Sequence, residues 1–145
     1  MKKYIAYVDG GSRGNPGTAG YGVAITDENG DFVVNLSVFL GIRTNNFAEY
    51  SGLLGALNYA VSHGYRDLQI YADSELMVKQ ISGAYKVKSA DLKPLFDQAR
   101  EMISRLHSFR ITHIPREKNR EADRLANLAM DQSVDSSSPK ELFTS

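Results

Sequence analysis

Four carboxylates, Asp9, Glu49, Asp73 and Asp123, stand where a chain of this pattern can do chemistry. Asp9 closes the apolar segment Tyr4-Ile5-Ala6-Tyr7-Val8, and Asp73 closes Leu68-Gln69-Ile70-Tyr71-Ala72. Sites in open α/β sheets form outside the carboxyl ends of strands. If these two segments are parallel neighbours, both acids point into one place. Glu49 falls in the first turn of a long helix and Asp123 near the start of the last one. Clustered carboxylates repel, and each resists ionisation beside the others. A divalent cation removes that penalty. Mg²⁺ prefers hard oxygen ligands and takes carboxylates together with substrate phosphates, and Mn²⁺ suits the same donors. Two such ions roughly 4 Å apart stabilise the attacking and leaving oxygens of an in-line phosphoryl displacement. Each acid also has an ordinary reading: Asp9 at a strand end as a turn former, Asp73 before Ser74 as a helix cap, Glu49 as a helix-dipole partner, Asp123 as a partner for Arg120 or Arg124.

The elements that must position these acids follow from periodicity. Residues 3–8 read as a buried strand. Residues 9–17, with four Gly and one Pro, read as a loop. Residues 20–26 and 32–40 are β-rich, and Glu28-Asn29-Gly30-Asp31 between them is a hairpin signal. The period changes at residues 46–62, where Leu53, Leu54, Leu57, Ala60 and Val61 form a helical stripe stopped by Gly64. A strand over 67–72, a short helix over 74–82, a helix over 91–106 with Pro94 in its first turn, and a strand over 109–114 follow. A last helix spans 119–130, with Asn119 as its N-cap. Strand–helix–strand crossovers make the later strands parallel to the first. The expectation is an α/β domain over residues 1–131: a five-stranded mixed sheet, three antiparallel strands and then two parallel ones, flanked by helices. The Ser-rich stretch 132–145 reads as a disordered tail.

Composition narrows the function classes. The 145 residues suit one domain, and 42% hydrophobic content suits a sizeable core. With no Cys, disulfide frameworks and Cys-based zinc sites are excluded. No apolar run approaches a membrane span, and the start at Met1-Lys2-Lys3 reads poorly as a signal peptide, so the expected location is the cytoplasm. Seventeen basic residues balance seventeen acidic ones. A nucleic-acid binder of this charge must use a local groove, with metal ions supplying part of the positive charge.

The residues around the four acids carry a resemblance. Asp9-Gly10-Gly11-Ser12-Arg13-Gly14-Asn15-Pro16-Gly17 is similar to the first signature of the ribonuclease H type 1 family. Thr44-Asn45-Asn46-Phe47-Ala48-Glu49 resembles the second, Asp73-Ser74 after a strand the third, and Arg116-Glu117-x-Asn119-x-x-Ala122-Asp123 the fourth. All four occur in order, over about residues 3–130. The resemblance implies a ribonuclease H-like fold. It also implies hydrolysis of the RNA strand of an RNA/DNA hybrid to 5′-phosphate and 3′-hydroxyl ends. Asp9, Glu49, Asp73 and Asp123 then match the metal-binding carboxylates, for two Mg²⁺ with substrate or Mn²⁺ in their place. Asn15, Asn45 and Asn46 match minor-groove contacts, where amides, both donors and acceptors, suit a 2′-hydroxyl. Thr44 matches a position holding a DNA-strand phosphate. Gly10, Gly11, Ser12 and Ser74 complete the expected nucleic-acid contacts.

The chain departs from many bacterial members in two ways. It lacks their basic, Trp-containing insertion. The segment Ser82–Ser89 is short and the chain has no Trp, so Lys86 and Lys88, with Tyr85, form at most a reduced handle. The loop that often carries a catalytic His is compact here, which leaves Arg116 or His113 as substitutes, Arg116 preferred; His63 and His107 read as structural. Both departures resemble the archaeal-like branch, which implies double-stranded RNA as an additional substrate class. No obligate partner is evident, and a monomer is expected. The competing readings are a hybrid-binding module without chemistry, the nuclease domain of a reverse transcriptase, a transposase-type nuclease acting on DNA, and, remotely, a dimetal hydrolase of small phosphates.

Overall fold

The computed structural model describes residues 2–132. The chain runs β1 (Lys3–Gly14), β2 (Gly17–Asp27), β3 (Phe32–Arg43), α1 (Asn45–Ser62), β4 (Asp67–Ala72), α2 (Glu75–Ile81), α3 (Lys93–Ile103), β5 (Ser108–His113) and α4 (Arg120–Asp131), with a single 3-10 turn at Arg116–Lys118 before α4. The strands form one sheet in the order β3-β2-β1-β4-β5. β1 pairs antiparallel with β2, and β2 with β3; β1 pairs parallel with β4, and β4 with β5. This is the mixed sheet expected from the order of the elements. The expected tail lies outside the described residues beyond Gln132. Among the described residues no helix is long and apolar enough to cross a membrane.

One element differs in kind from the expectation. Residues 9–17 are not a loop but the tip of a β-hairpin, paired from Asp9 with Gly22 to Gly14 with Gly17. The glycines read locally as a turn, yet they stand in strands because helices press on them. A Cβ on Gly10 would lie 2.2 Å from the Ala48 carbonyl oxygen of α1, and one on Gly22 would lie 2.3 Å from the Ala122 carbonyl oxygen of α4. Missing side chains thus let both helices approach the sheet at the acids.

The core lies between the sheet and α1. Tyr50, Leu53 and Leu57 of α1 are buried against Val8, Val23, Ile25, Leu68 and Ile70. Each such side chain contributes about 1.5–3 kcal/mol by leaving water. α4 covers the other face through Ala122, Leu125, Ala126 and Ala129, all buried. α3 is shorter than its apolar stripe. Its last turn tightens, with Arg105 N–H donating to Met102 O (3.1 Å) and Leu106 N–H to Ile103 O (3.0 Å), the i→i−3 pattern of a closing helix.

Candidate active site

β1 and β4 deliver two acids side by side. Val8 and Ala72 form their last register pair, and Asp9 and Asp73 follow directly. β1 itself continues past Asp9 as the hairpin. Glu49 comes from α1, which Thr44 caps by accepting from Phe47 N–H (3.1 Å). Glu49 lies just past the first turn rather than within it, because the helix starts at Asn45. One carboxylate oxygen from each of Asp9, Glu49 and Asp73 lies within 4.8 Å of the other two.

Asp123, in the first turn of α4, adjoins Asp9 but stands outside this three-way group. Its Oδ1 faces Arg116 Nη1 (3.5 Å) and Asn127 Nδ2 (3.4 Å). Three carboxylates therefore form a core, and the fourth occupies the rim.

The core is short of positive charge. Asp9 is 3% exposed and Glu49 6%. Burial first, then the charges of Glu49 and Asp73, push Asp9 up to about 9. Burial and Asp73 push Glu49 up to about 8, against the opposing pull of Gly10 N–H and Arg116. Gly10 N–H donates to Glu49 Oε1 at 3.1 Å. Asp9 Oδ1 is buried with no hydrogen-bond partner among the described residues. A buried carboxylate oxygen without a partner is costly. Hard oxygen donors this close, one of them orphaned, fit a divalent cation of the Mg²⁺ or Mn²⁺ kind.

The other expected residues are spread over several places. Gly10, Gly11, Ser12, Asn45, Arg116, Asp9 and Asp123 line one groove of about 190 Å³. Asn15 is at the hairpin tip, where its Oδ1 accepts from Asn45 N–H (3.0 Å) and ties the hairpin to α1. Asn46 is exposed in the first turn of α1, and Ser12 Oγ reaches Gly14 O and Arg43 O. Ser74 caps α2 by accepting from Met77 N–H (3.3 Å). Lys86 and Lys88 lie apart, in a shallow groove of about 420 Å³ shared with Leu76, Ala84 and Tyr85. His113 ends β5, exposed, and does not line the acidic groove, whereas Arg116 does. A larger cleft of about 750 Å³, near Tyr21, Gly55, Glu101 and Arg105, holds none of the four acids. Chemistry rather than size therefore marks the site.

Sequence reasoning missed Arg13 and Asn127. Asn127 Nδ2 donates to Asp123 O (3.0 Å), and Arg13 Nη2 donates to Asn127 Oδ1 (3.2 Å). Arg13 Nη1 also pairs with Asp131 (2.7 Å). These contacts join the hairpin to α4. For Asn127 the signal was its place four residues after Asp123, on the same helical face. Asn119 also departs from expectation. It occupies the N-cap position, but its side chain makes no cap bond and turns inward.

Comparisons with known proteins fit this geometry. A family model described as Reverse transcriptase-like matches residues 7–129. The ribonuclease HI of Halobacterium salinarum is 41% identical over 126 residues, covering 87% of this chain and 63% of the relative. The bifunctional protein Rv2228c of Mycobacterium tuberculosis is 42% identical over 135 residues, covering 92% of this chain and 37% of the relative. The chain thus spans only part of the length of these relatives. Among solved structures, LC11-RNase H1, from a compost metagenome, superposes with a TM-score of 0.86 at 43% identity, covering 90% of this chain and 99% of that one; it was solved in complex with an RNA/DNA hybrid.

Proposed function

The chain belongs to the ribonuclease H family, and from that premise we propose that it is an endoribonuclease that hydrolyses the RNA strand of RNA/DNA hybrids. The observation that carries the reading is the acidic core: three carboxylate oxygens within 4.8 Å of one another, with Asp9 Oδ1 buried and unpartnered among the described residues. Asp9, Glu49 and Asp73 would hold divalent cations, with Asp123 completing the set from the rim. When bound, two Mg²⁺ ions, or Mn²⁺ in their place, supply Lewis-acid stabilisation of the phosphoryl group and lower the pKa of water, which leads to 5′-phosphate and 3′-hydroxyl products.

The chain's other residues bind and orient. Arg116 stands exposed beside Asp123, placed to hold a phosphate by charge-assisted hydrogen bonds. Ser12 and Asn45 line the groove, and Asn15 and Asn46 flank it at the hairpin tip and the start of α1. Amides there offer both donor and acceptor to a 2′-hydroxyl, the group that separates RNA from DNA. Thr44 Oγ1 already caps α1, so its service to a DNA-strand phosphate is through its hydroxyl proton and the exposed helix start. Lys86 and Lys88 extend the contact along the duplex. The chain acts as a monomer.

The test is cleavage of labelled RNA/DNA hybrid, double-stranded RNA and double-stranded DNA with Mg²⁺, Mn²⁺ or EDTA, comparing the native chain with Asp9→Asn. Metal-dependent cutting of the hybrid's RNA strand, lost in Asp9→Asn, is expected, and the other duplexes define the substrate range. Hybrid binding without cutting under either metal would overturn the proposal and leave a binding module.

A further inference from the structure

We propose that Asn119 is the positioning residue of the acidic site, its side-chain amide holding the Asp73 carboxylate and the end of β1 in the geometry that accepts a divalent cation. This rests on the metal-site reading above.

Asn119 is 1% exposed, although Asn is mostly a surface residue. It stands where the 3-10 turn meets α4. An Asn at that position ordinarily folds its side-chain oxygen back onto its own helix to accept from a free backbone N–H. Here it makes no such bond. Its Nδ2 instead donates to Val8 O at 2.8 Å and faces Asp73 Oδ2 at 3.5 Å. Its backbone oxygen accepts from Asp123 N–H at 3.1 Å. One residue therefore touches the peptide preceding Asp9, the carboxylate of Asp73 and the backbone of Asp123.

The chemistry of these contacts is one-sided. Val8 O and Asp73 Oδ2 are both acceptors, so the group between them must be a donor with two hydrogens. The amide –NH₂ is such a group. Flipping the amide would set Oδ1 against two oxygens, which fixes the orientation. The consequence is that Oδ1 is buried without a hydrogen-bond partner among the described residues. A capping conformation would pair that oxygen and add a helix cap. The chain forgoes both in favour of the inward contacts. Departures of this kind from local rules concentrate where a site needs a group held in place. Groups that orient metal-ligating carboxylates act on affinity through geometry rather than charge.

A purely structural Asn119, merely pinning α4 to β1, makes a different prediction, and two variants separate the readings. Asn119→Leu keeps a similar branched shape and removes the donor; Asn119→Ala removes the donor and leaves a cavity. Mn²⁺ affinity is measured by calorimetric titration of the metal-free protein, alongside thermal melting and the KM for hybrid at saturating metal. The expected result is Mn²⁺ binding weakened roughly 10- to 100-fold in both variants, with KM unchanged. Variants that lose thermal stability while keeping native Mn²⁺ affinity would overturn the proposal. If neither variant folds, the native chain answers: the Asn119 side-chain NH₂ resonances should shift on titration with Mg²⁺, and stationary resonances would overturn it. Absence of Mn²⁺ binding by the native chain would overturn the proposed function and this inference together. Native binding with unchanged variants would overturn the role of Asn119 alone.

Discussion

Asp9 and Asp73 occupy equivalent positions on neighbouring parallel strands, each one residue past the pair Val8–Ala72 that ends the shared register. Adjacent strands are about 4.8 Å apart, so the backbone itself sets two carboxylates close enough to repel, on top of the burial that raises Asp9 most. Glu49 arrives from α1 because Gly10 lets that helix come within contact of β1. The electrostatic tension of the site is thus a consequence of sheet topology and a missing side chain.

That tension should appear as a pH dependence of stability. Asp9 rises from 3.8 to about 9 and Glu49 from 4.5 to about 8 on folding. Between about pH 4 and about pH 9 the folded, metal-free chain holds protons that the unfolded chain has released. The contribution of these two groups is therefore fully present below the unfolded values and is lost as pH rises toward the folded ones. Thermal melting in EDTA should show Tm falling across that window. Saturating Mg²⁺ should flatten or reverse the slope, since the ion replaces the protons. A Tm profile in EDTA that rises with pH over this range would contradict the assignment.

Asp9→Asn should separate stability from activity. The amide keeps the shape and is neutral without taking up a proton, whereas Asp9, raised to about 9 by burial and then by Glu49 and Asp73, must recover one on folding. In EDTA at mildly alkaline pH the variant should be more stable than the native chain by on the order of 1 kcal/mol, a Tm gain of roughly 3–5 °C. Metal-dependent cleavage should fall by more than ~100-fold. Equal Tm values for the two proteins in EDTA would mean that Asp9 is not under strain.

The mixed sheet, the helices and the convergence of Asp9, Glu49 and Asp73 were legible because hydrophobic period and strand-end position are local signals. The hairpin tip was not. Asp9–Gly17 looks like a loop by composition, and only the pressure of Ala48 on Gly10 and Ala122 on Gly22 explains strand glycines. The inward turn of Asn119 was hidden for a similar reason. Its partners Val8 and Asp73 are 111 and 46 residues away, and no local pattern distinguishes a cap from a buried donor. Arg13 and Asn127 escaped because their contact exists only once α4 lies against the hairpin.

Arg116 rather than His113 should matter for turnover. Arg116 lines the acidic groove and faces Asp123, whereas His113 ends an edge strand, exposed and outside that groove. Arg116→Ala should lower kcat by roughly tenfold or more, as removal of a preorganised charge does, and Arg116→Lys should recover only part, since an ammonium lacks the planar fork. His113→Ala should leave kcat near native. The reverse ranking in steady-state assays would transfer the role to His113.

Tyr50 links the acidic site to the basic segment. It follows Glu49 in α1, and its buried hydroxyl donates to Gln80 Oε1 at 2.6 Å; Gln80 Nε2 in turn reaches Lys86 O at 3.5 Å. Burial pushes the Tyr50 hydroxyl up to about 12, so it remains a donor at any working pH. Tyr50→Phe removes the donor to the buried Gln80 Oε1 and should cost about 1–3 kcal/mol. It should also loosen residues 84–88, raising their amide exchange rates and the KM for hybrid while kcat changes little. Unaltered exchange at Lys86 would show that the loop is held by other contacts.

Lys86 and Lys88 should account for part of the salt dependence of hybrid binding. The chain is neutral overall, so its attraction to a duplex must come from a few local cations, and both lysines are exposed on one groove beside Tyr85. Each phosphate contact contributes about 0.9 to the slope of log K against log salt on a B-form duplex. Replacing both lysines by Ala should therefore weaken binding at low salt and flatten the slope by roughly one to two, while the carboxylate core and kcat at saturating hybrid remain unaffected. The measurement is hybrid affinity by fluorescence anisotropy across a salt series, for the native chain and the double variant. Parallel lines would remove this segment from the interface and leave the contact to the hairpin tip, the start of α1 and Arg116.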